Sequence, residues 1–102
     1  MPTDPTFRMT VQDVFSIKGR GTVVTGQIER GTLTVGDEIQ LQHQGSMKKT
    51  VVTGLEMFRK VVTRAQVNDQ VGVLLQDIGK QEVARGDVLT GSDAESKNAT
   101  DL

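Results

Sequence analysis

Cysteine is absent from this 102-residue chain. That absence excludes disulfide frameworks, thiol nucleophiles and cysteine-ligated zinc, and it fits a reducing, cytoplasmic compartment. Histidine occurs once, as His43. A metal site would therefore rest on carboxylates, and a Ser/His/Asp arrangement would pass through that single imidazole. Tryptophan and tyrosine are also missing, so aliphatic side chains must fill any interior. Neither sign of charge dominates: 12 basic and 13 acidic residues leave a formal net charge of −1. The chain thus has no global attraction for a polyanion, and any RNA contact must be local. No window approaches the roughly 18 apolar residues of a membrane span, and Met1 to Met9 has no basic region followed by an apolar run. The composition reads as a soluble, non-exported protein that does not contact membranes.

What is present is a series of short apolar runs rich in β-branched residues, set between glycine and charged turns. One domain of this length can bury a core without metal or disulfide staples. Met1 to Thr6 carries both prolines and no periodicity, and residues 1–6 are expected to form a flexible leader. A first strand is expected from about Phe7 to Ile17, followed by the loop Lys18-Gly19-Arg20-Gly21. From Thr22 to Glu29 the alternation sends Val24, Gly26 and Ile28 to one face and Val23, Thr25 and Gln27 to the other. Thr32 to Val35 is a short return, and Gly36-Asp37 turns into Glu38 to Gln42, with Ile39 and Leu41 inward.

Gln42 to Lys49 reads as a polar loop tipped by Gly45-Ser46. A longer strand from Thr50 to about Phe58 places Val51, Thr53, Leu55 and Met57 on one face and Val52, Gly54, Glu56 and Phe58 on the other. Val61 to Asp69 has no clear period, although Asn68-Asp69 is a turn in which asparagine can be left-handed. Val71 to Leu75 is a short apolar strand, Asp77 to Arg85 has room for one helical turn, and Gly86-Asp87 repeats Gly36-Asp37 before a last strand, Val88 to Thr90. Residues 7–90 form the expected folded domain. Residues 91–102 are too polar to repay the entropy of ordering and are expected to be a disordered tail. Short strands, regular turns and no amphipathic helix predict an all-β fold, closed into a barrel because an open sheet this small would expose long edges.

The segments DVFSIKGRGTVVTGQIERG (Asp13 to Gly31), VGDEI (Val35 to Ile39), TVVTGLEMFRK (Thr50 to Lys60), VGVLL (Val71 to Leu75) and RGDVL (Arg85 to Leu89) together resemble the second domain of elongation factor Tu and related translational GTPases. The resemblance implies a closed antiparallel β-barrel of about six strands. In that family the barrel lies between a GTP-binding domain and a second barrel and helps hold the 3′ end of aminoacyl-tRNA. The resemblance implies that Ile17, Gly19, Val23, Glu56 and Leu74 would form the pocket for the terminal adenine, with Arg59 near the terminal phosphates. Gln70 stands where the family usually has asparagine, near the bound aminoacyl group, and Phe58 where relatives carry histidine or phenylalanine. Independently of the family, alternation places Val23 and Glu56 opposite the inward rows and Leu74 out of phase with Val73 and Leu75. An external groove of apolar walls beside a carboxylate suits a stacked base and a ribose hydroxyl.

The chain has no GxxxxGK[ST] loop, so GTP binding does not carry over, and neither a GTP-binding domain nor a third domain accompanies it. The initial methionine and the unfamiliar tail fit a free-standing relative; an excised domain with added ends would look similar. Plainer readings stand beside these. Gly19 and Gly21 suit a tight turn better than a phosphate cradle, since no helix follows. Glu56 and Arg59 are either a ribose and phosphate clamp or a solvated ion pair worth about 0–1 kcal/mol. Val23 and Leu74 are either pocket walls or surface that another domain covers. His43 is expected on the surface, and Lys18, Arg20, Lys48, Lys49, Arg59 and Lys60 as scattered charge. No nucleophile, metal cluster, cofactor site or paired carboxylates stand out, so the expectation is a non-catalytic module. Two readings follow: one that binds the aminoacyl-tRNA acceptor end, or one that docks other translation-factor domains or associates with itself without binding RNA.

Overall fold

The structure, a computed structural model, describes residues 6–58 and 60–91. Residues 1–5 of the expected leader (1–6), residues 92–102 of the expected tail (91–102) and the role assigned to Arg59 lie outside these described residues, whereas Gly91 closes β10. Among the described residues there are ten strands: β1 (Arg8–Thr10), β2 (Asp13–Ile17), β3 (Gly21–Arg30), β4 (Thr32–Thr34), β5 (Glu38–His43), β6 (Ser46–Met57), β7 (Lys60–Val62), β8 (Arg64–Gln66), β9 (Gln70–Leu75) and β10 (Val88–Gly91), with a single 3-10 turn at Lys80–Glu82. Six of them close a ring in the order β1-β10-β5-β6-β9-β3 and back to β1, with antiparallel neighbours throughout. β2 extends this ring beside β3, β7 lies on β6, and β4 pairs with β8 as a separate ribbon. The expected all-β, closed six-stranded antiparallel barrel is the fold.

The ring is filled by Met9, Val24, Ile28, Leu41, Leu55, Val73 and Leu89, each at most 1% exposed. Full burial of one such side chain stabilises the fold by about 1.5–3 kcal/mol. Closure depends on a close approach of backbones. β1 and β2 run consecutively along one edge of β3, and a Cβ on Gly26 would stand 2.4 Å from the Thr10 carbonyl oxygen. Only glycine lets the strands meet there.

Three local expectations are corrected. The single strand from Phe7 to Ile17 is two strands, because the chain breaks step at Val11-Gln12: the Val11 N–H donates to Asp87 O at 2.8 Å and the Gln12 N–H to Thr25 O at 2.7 Å. The polar loop at Gln42 to Lys49 is instead a hairpin, in which Gln44 (φ 49°) and Gly45 (φ 83°) form the left-handed two-residue turn between β5 and β6. The strand ends beside the turn, Gln42-His43 and Ser46 to Lys49, are largely polar because they extend beyond the core. In β6, strict alternation fails: Val52 and Leu55 are both fully buried, since the register against β9 shifts between Val52 and Gly54. A bulge adds one residue and reverses the phase. Glu56 follows the bulge and still faces outward.

The turns share one design. At Thr34–Asp37, Gln66–Asp69 and Ala84–Asp87, the aspartate Oδ2 accepts the first residue's N–H at 2.9, 2.9 and 2.7 Å. The aspartate's own N–H returns to that residue's carbonyl at 3.0, 3.0 and 3.1 Å. The third position is left-handed in each: Gly36 (φ 98°), Asn68 (φ 76°) and Gly86 (φ 89°). The glycine-aspartate repeat visible in the sequence thus has a third copy with asparagine in place of glycine.

Candidate nucleic-acid interface

Strands β2, β3, β9, β6 and β7 present one outer face, and their register aligns side chains in two rows across it. One row runs Phe15, Val23, Leu74, Gly54; the other runs Thr25, Gly72, Glu56, Val61. Inward neighbours Val24, Val73 and Leu55 are fully buried, so these rows are the opposite face of the same strands. A groove of about 480 Å³ opens over them, lined among others by Phe15, Ile17, Val23, Glu56, Phe58 and Gln70. Phe15 is half exposed and Phe58 is 85% exposed.

Phe58 also occupies the left-handed region at φ 51°. That conformation is costly for a bulky non-glycine residue, and an aromatic held exposed at such a cost marks a candidate functional position.

Four of the seven sequence-predicted residues, Ile17, Val23, Glu56 and Gln70, therefore meet in one groove. Leu74 adjoins it, sharing a narrow hollow with Val23 and Glu56. Gly19 lines none of these spaces: it sits in the Ile17–Arg20 turn at φ 81°, closed by the Arg20 N–H on Ile17 O at 2.9 Å. Gln70 is not a free amide, since its Nε2 donates to Gln12 Oε1 at 2.7 Å.

Glu56 finds a cation that sequence spacing did not suggest. Arg20 Nη1 lies 3.7 Å from Glu56 Oε2, with the two side chains 51% and 43% exposed. Arg20 is therefore not simply scattered surface charge, as the sequence suggests. Its proximity depends on β9 pairing with both β3 and β6, which sets the β2–β3 turn within side-chain reach of Glu56, a relation invisible in linear spacing. Phe15 was more accessible to prediction: pairing β2 and β3 through the glycine turn sets it opposite outward-facing Val23.

The β5–β6 hairpin end contains a second polar group, and here the sequence reading of His43 is corrected. Its side chain is only 23% exposed, and Nδ1 lies 2.6 Å from Asp87 Oδ2. The carboxylate that organises the Ala84–Asp87 turn thus also fixes the ring. Beside it Glu82 accepts from Lys48 Nζ at 2.5 Å and from the Gly79 N–H at 2.7 Å. The Lys48 hydrogen bond first, and the Gly79 N–H second, hold the Glu82 pKa below its ordinary value. Among the described residues no group of three His, Asp or Glu side chains is placed to hold a metal. No helix among them is long and apolar enough to cross a membrane.

The family model described as Elongation factor Tu domain 2 matches residues 21–90, more than half of the chain. The chain belongs to that family. The match runs from the start of β3 into β10, so it covers five of the six ring strands, and it identifies the barrel as a translation-factor domain 2 module. Domain 2 of elongation factor Tu is a non-catalytic β-barrel that works beside other domains of the factor. In this elongation factor Tu domain 2 barrel the outer groove lies on β2, β3, β9 and β6, and all but β2 fall within the matched span.

Proposed function

We propose that this domain is a non-catalytic, cytoplasmic RNA-binding module that holds the 3′ end of an aminoacyl-tRNA acceptor strand in the groove between Phe15 and Phe58. The observation that carries the reading is the convergence of Ile17, Val23, Glu56 and Gln70 on one outward groove flanked by two exposed aromatic rings. A base stacks on Phe58 or against Val23 and Ile17, and the outward carboxylate of Glu56 accepts a ribose hydroxyl. Neither step requires net positive charge. A single short groove gives modest affinity, which neighbouring domains would raise through effective concentration.

Titration of the labelled protein with an aminoacylated acceptor-end RNA and with an unrelated single strand tests this. Glu56→Ala is expected to weaken the first more than the second. Equal, negligible binding of both to the wild-type protein rejects the reading.

A second reading is favoured by one observation: Phe58 and Val61 are 85% and 77% exposed. Apolar surface of this kind also suits docking against other domains of a translation factor or a second copy of the chain. Sedimentation separates the two readings. A strict monomer that binds acceptor RNA leaves the first, and a dimer that loses association in Phe58→Ser supports the second.

A further inference from the structure

The groove does not end at Glu56. It continues into a neck of about 20 Å³ that shares Val23, Glu56 and Gly72 with it. On its other side the neck adjoins a second cleft of about 630 Å³, with which it shares Arg20 and Leu74. The Arg20–Glu56 pair therefore stands across the narrow point between two open lobes. Arg20 lines the neck and the second cleft but not the first groove, and among the described residues it is the one cation lining any of the three spaces.

The floor of the neck is Gly54 and Gly72, and neither is required by the fold. Neither has positive φ. A Cβ at Gly54 would meet Leu74 side-chain atoms at 3.5 Å, and one at Gly72 would meet Val23 Cγ1 at 3.4 Å, both ordinary packing distances. This contrasts with Gly26, where a Cβ would strike backbone. The missing side chains at 54 and 72 thus keep a passage open on the surface.

The second lobe is firmly built. Thr22 Oγ1 donates to Ile78 O at 2.5 Å and Thr50 Oγ1 to Gln76 O at 2.8 Å, fastening the segment after β9 to the barrel. Thr53, Gln76 and Asp77 add hydrogen-bonding side chains to its walls.

From this we infer that the trough holds two successive ribonucleotides, one in each lobe, with the phosphodiester that joins them crossing the glycine-floored neck and taking Arg20 from Glu56. The inference rests on the RNA reading above and extends it to a second subsite. A phosphodiester is the linker that matches a narrow passage bearing one exposed guanidinium, because Arg pairs with phosphate oxygens in bidentate fashion. Release of Glu56 from Arg20 leaves its carboxylate free for the ribose in the first lobe. An extended peptide has no comparable use for a lone cation at the waist.

The test is an amide-shift titration of the full chain with adenosine and with the ribodinucleotide ApA. Adenosine is expected to shift amides around Val23 and Gly72, whereas ApA also shifts Thr53, Gln76 and Gly79 and binds about tenfold more tightly, the order that one additional stacked base supplies. Arg20→Ala is expected to reduce that advantage to about twofold or less. Gly54→Ala, which fits the fold sterically, is expected to weaken ApA more than adenosine. ApA shifts confined to the first lobe, or an ApA advantage that survives Arg20→Ala, would overturn the two-site inference and leave the RNA reading standing. No shift at the groove with either ligand would reject the RNA reading and this inference together.

Discussion

The barrel carries two polar clusters of opposite construction. At the β5–β6 hairpin end, His43–Asp87 and Lys48–Glu82 are bonded at 2.6 and 2.5 Å, and each carboxylate also accepts a backbone N–H. On the outer trough, Arg20 and Glu56 stand 3.7 Å apart over glycine. The first cluster joins segments of chain that would otherwise separate, so its groups are satisfied by the fold itself. The second is loosely paired at its narrowest point and bordered by exposed aromatic rings. The charge at the hairpin end is saturated within the molecule, whereas the half-exposed Arg20–Glu56 pair retains bonding capacity.

The largest effect that would break this comparison is Asp87→Ala. It removes the acceptor of both the His43 ring and the Ala84 N–H, and is expected to cost about 2 kcal/mol in urea denaturation. Adenosine shifts at the groove should survive that change wherever the protein remains folded. A loss below about 0.5 kcal/mol would show that the hairpin clasp is decorative.

Next comes Phe58→Gly, where stability and binding should move in opposite directions. Relief of the left-handed φ is expected to raise stability by about 0.5 kcal/mol after the added entropy of glycine in the unfolded chain is set against it. Nucleotide binding should fall. If stability also falls, the ring packs structurally and the trough loses its stacking platform.

Glu56→Ala sharpens the comparison from the other side. A half-exposed pair at this distance contributes little, so the free energy of unfolding should change by less than about 0.5 kcal/mol in urea denaturation.

The smallest effect concerns acid. Glu82 has its folded pKa lowered from an ordinary value of 4.5. Its contribution is therefore fully present above that value and is lost as pH falls through the folded pKa. Glu29 behaves in the same sense, held down first by the Thr10 hydroxyl and also by Arg8. In acid titrations followed by circular dichroism, Lys48→Ala should flatten the decline of stability below pH 4.5 relative to wild type. An unchanged acid limb would mean that the Lys48–Glu82 bond is not maintained in solution.

Much of the barrel was legible in the residues because period-two burial is a local property. Val24 and Ile28 inward, Val23 outward, and Val73 and Leu75 flanking outward Leu74 all follow from alternation, and all match the observed burial. Reading failed where one strand serves two neighbours. β6 leaves β5 and joins β9 through a bulge, so Val52 and Leu55 are both inward despite opposite phase. The hairpin at Gln44-Gly45 reads as a loop for a related reason: the strand ends beside it, Gln42-His43 and Ser46 to Lys49, have no buried position and therefore no hydrophobic period.

The amino-acid sequence by itself determined the strands, the glycine and aspartate turns and the family, because backbone conformation and side-chain alternation are set by residues close in the chain. It also identified Ile17, Val23, Glu56 and Gln70 as candidates that the folded protein brings to one groove. Only the tertiary structure decided that Arg20 faces Glu56, that Asp87 holds His43, and that two glycines from separate strands leave a passage between two lobes. Each of these relations joins residues at least 18 positions apart, through a register that ring closure imposes and no local pattern encodes.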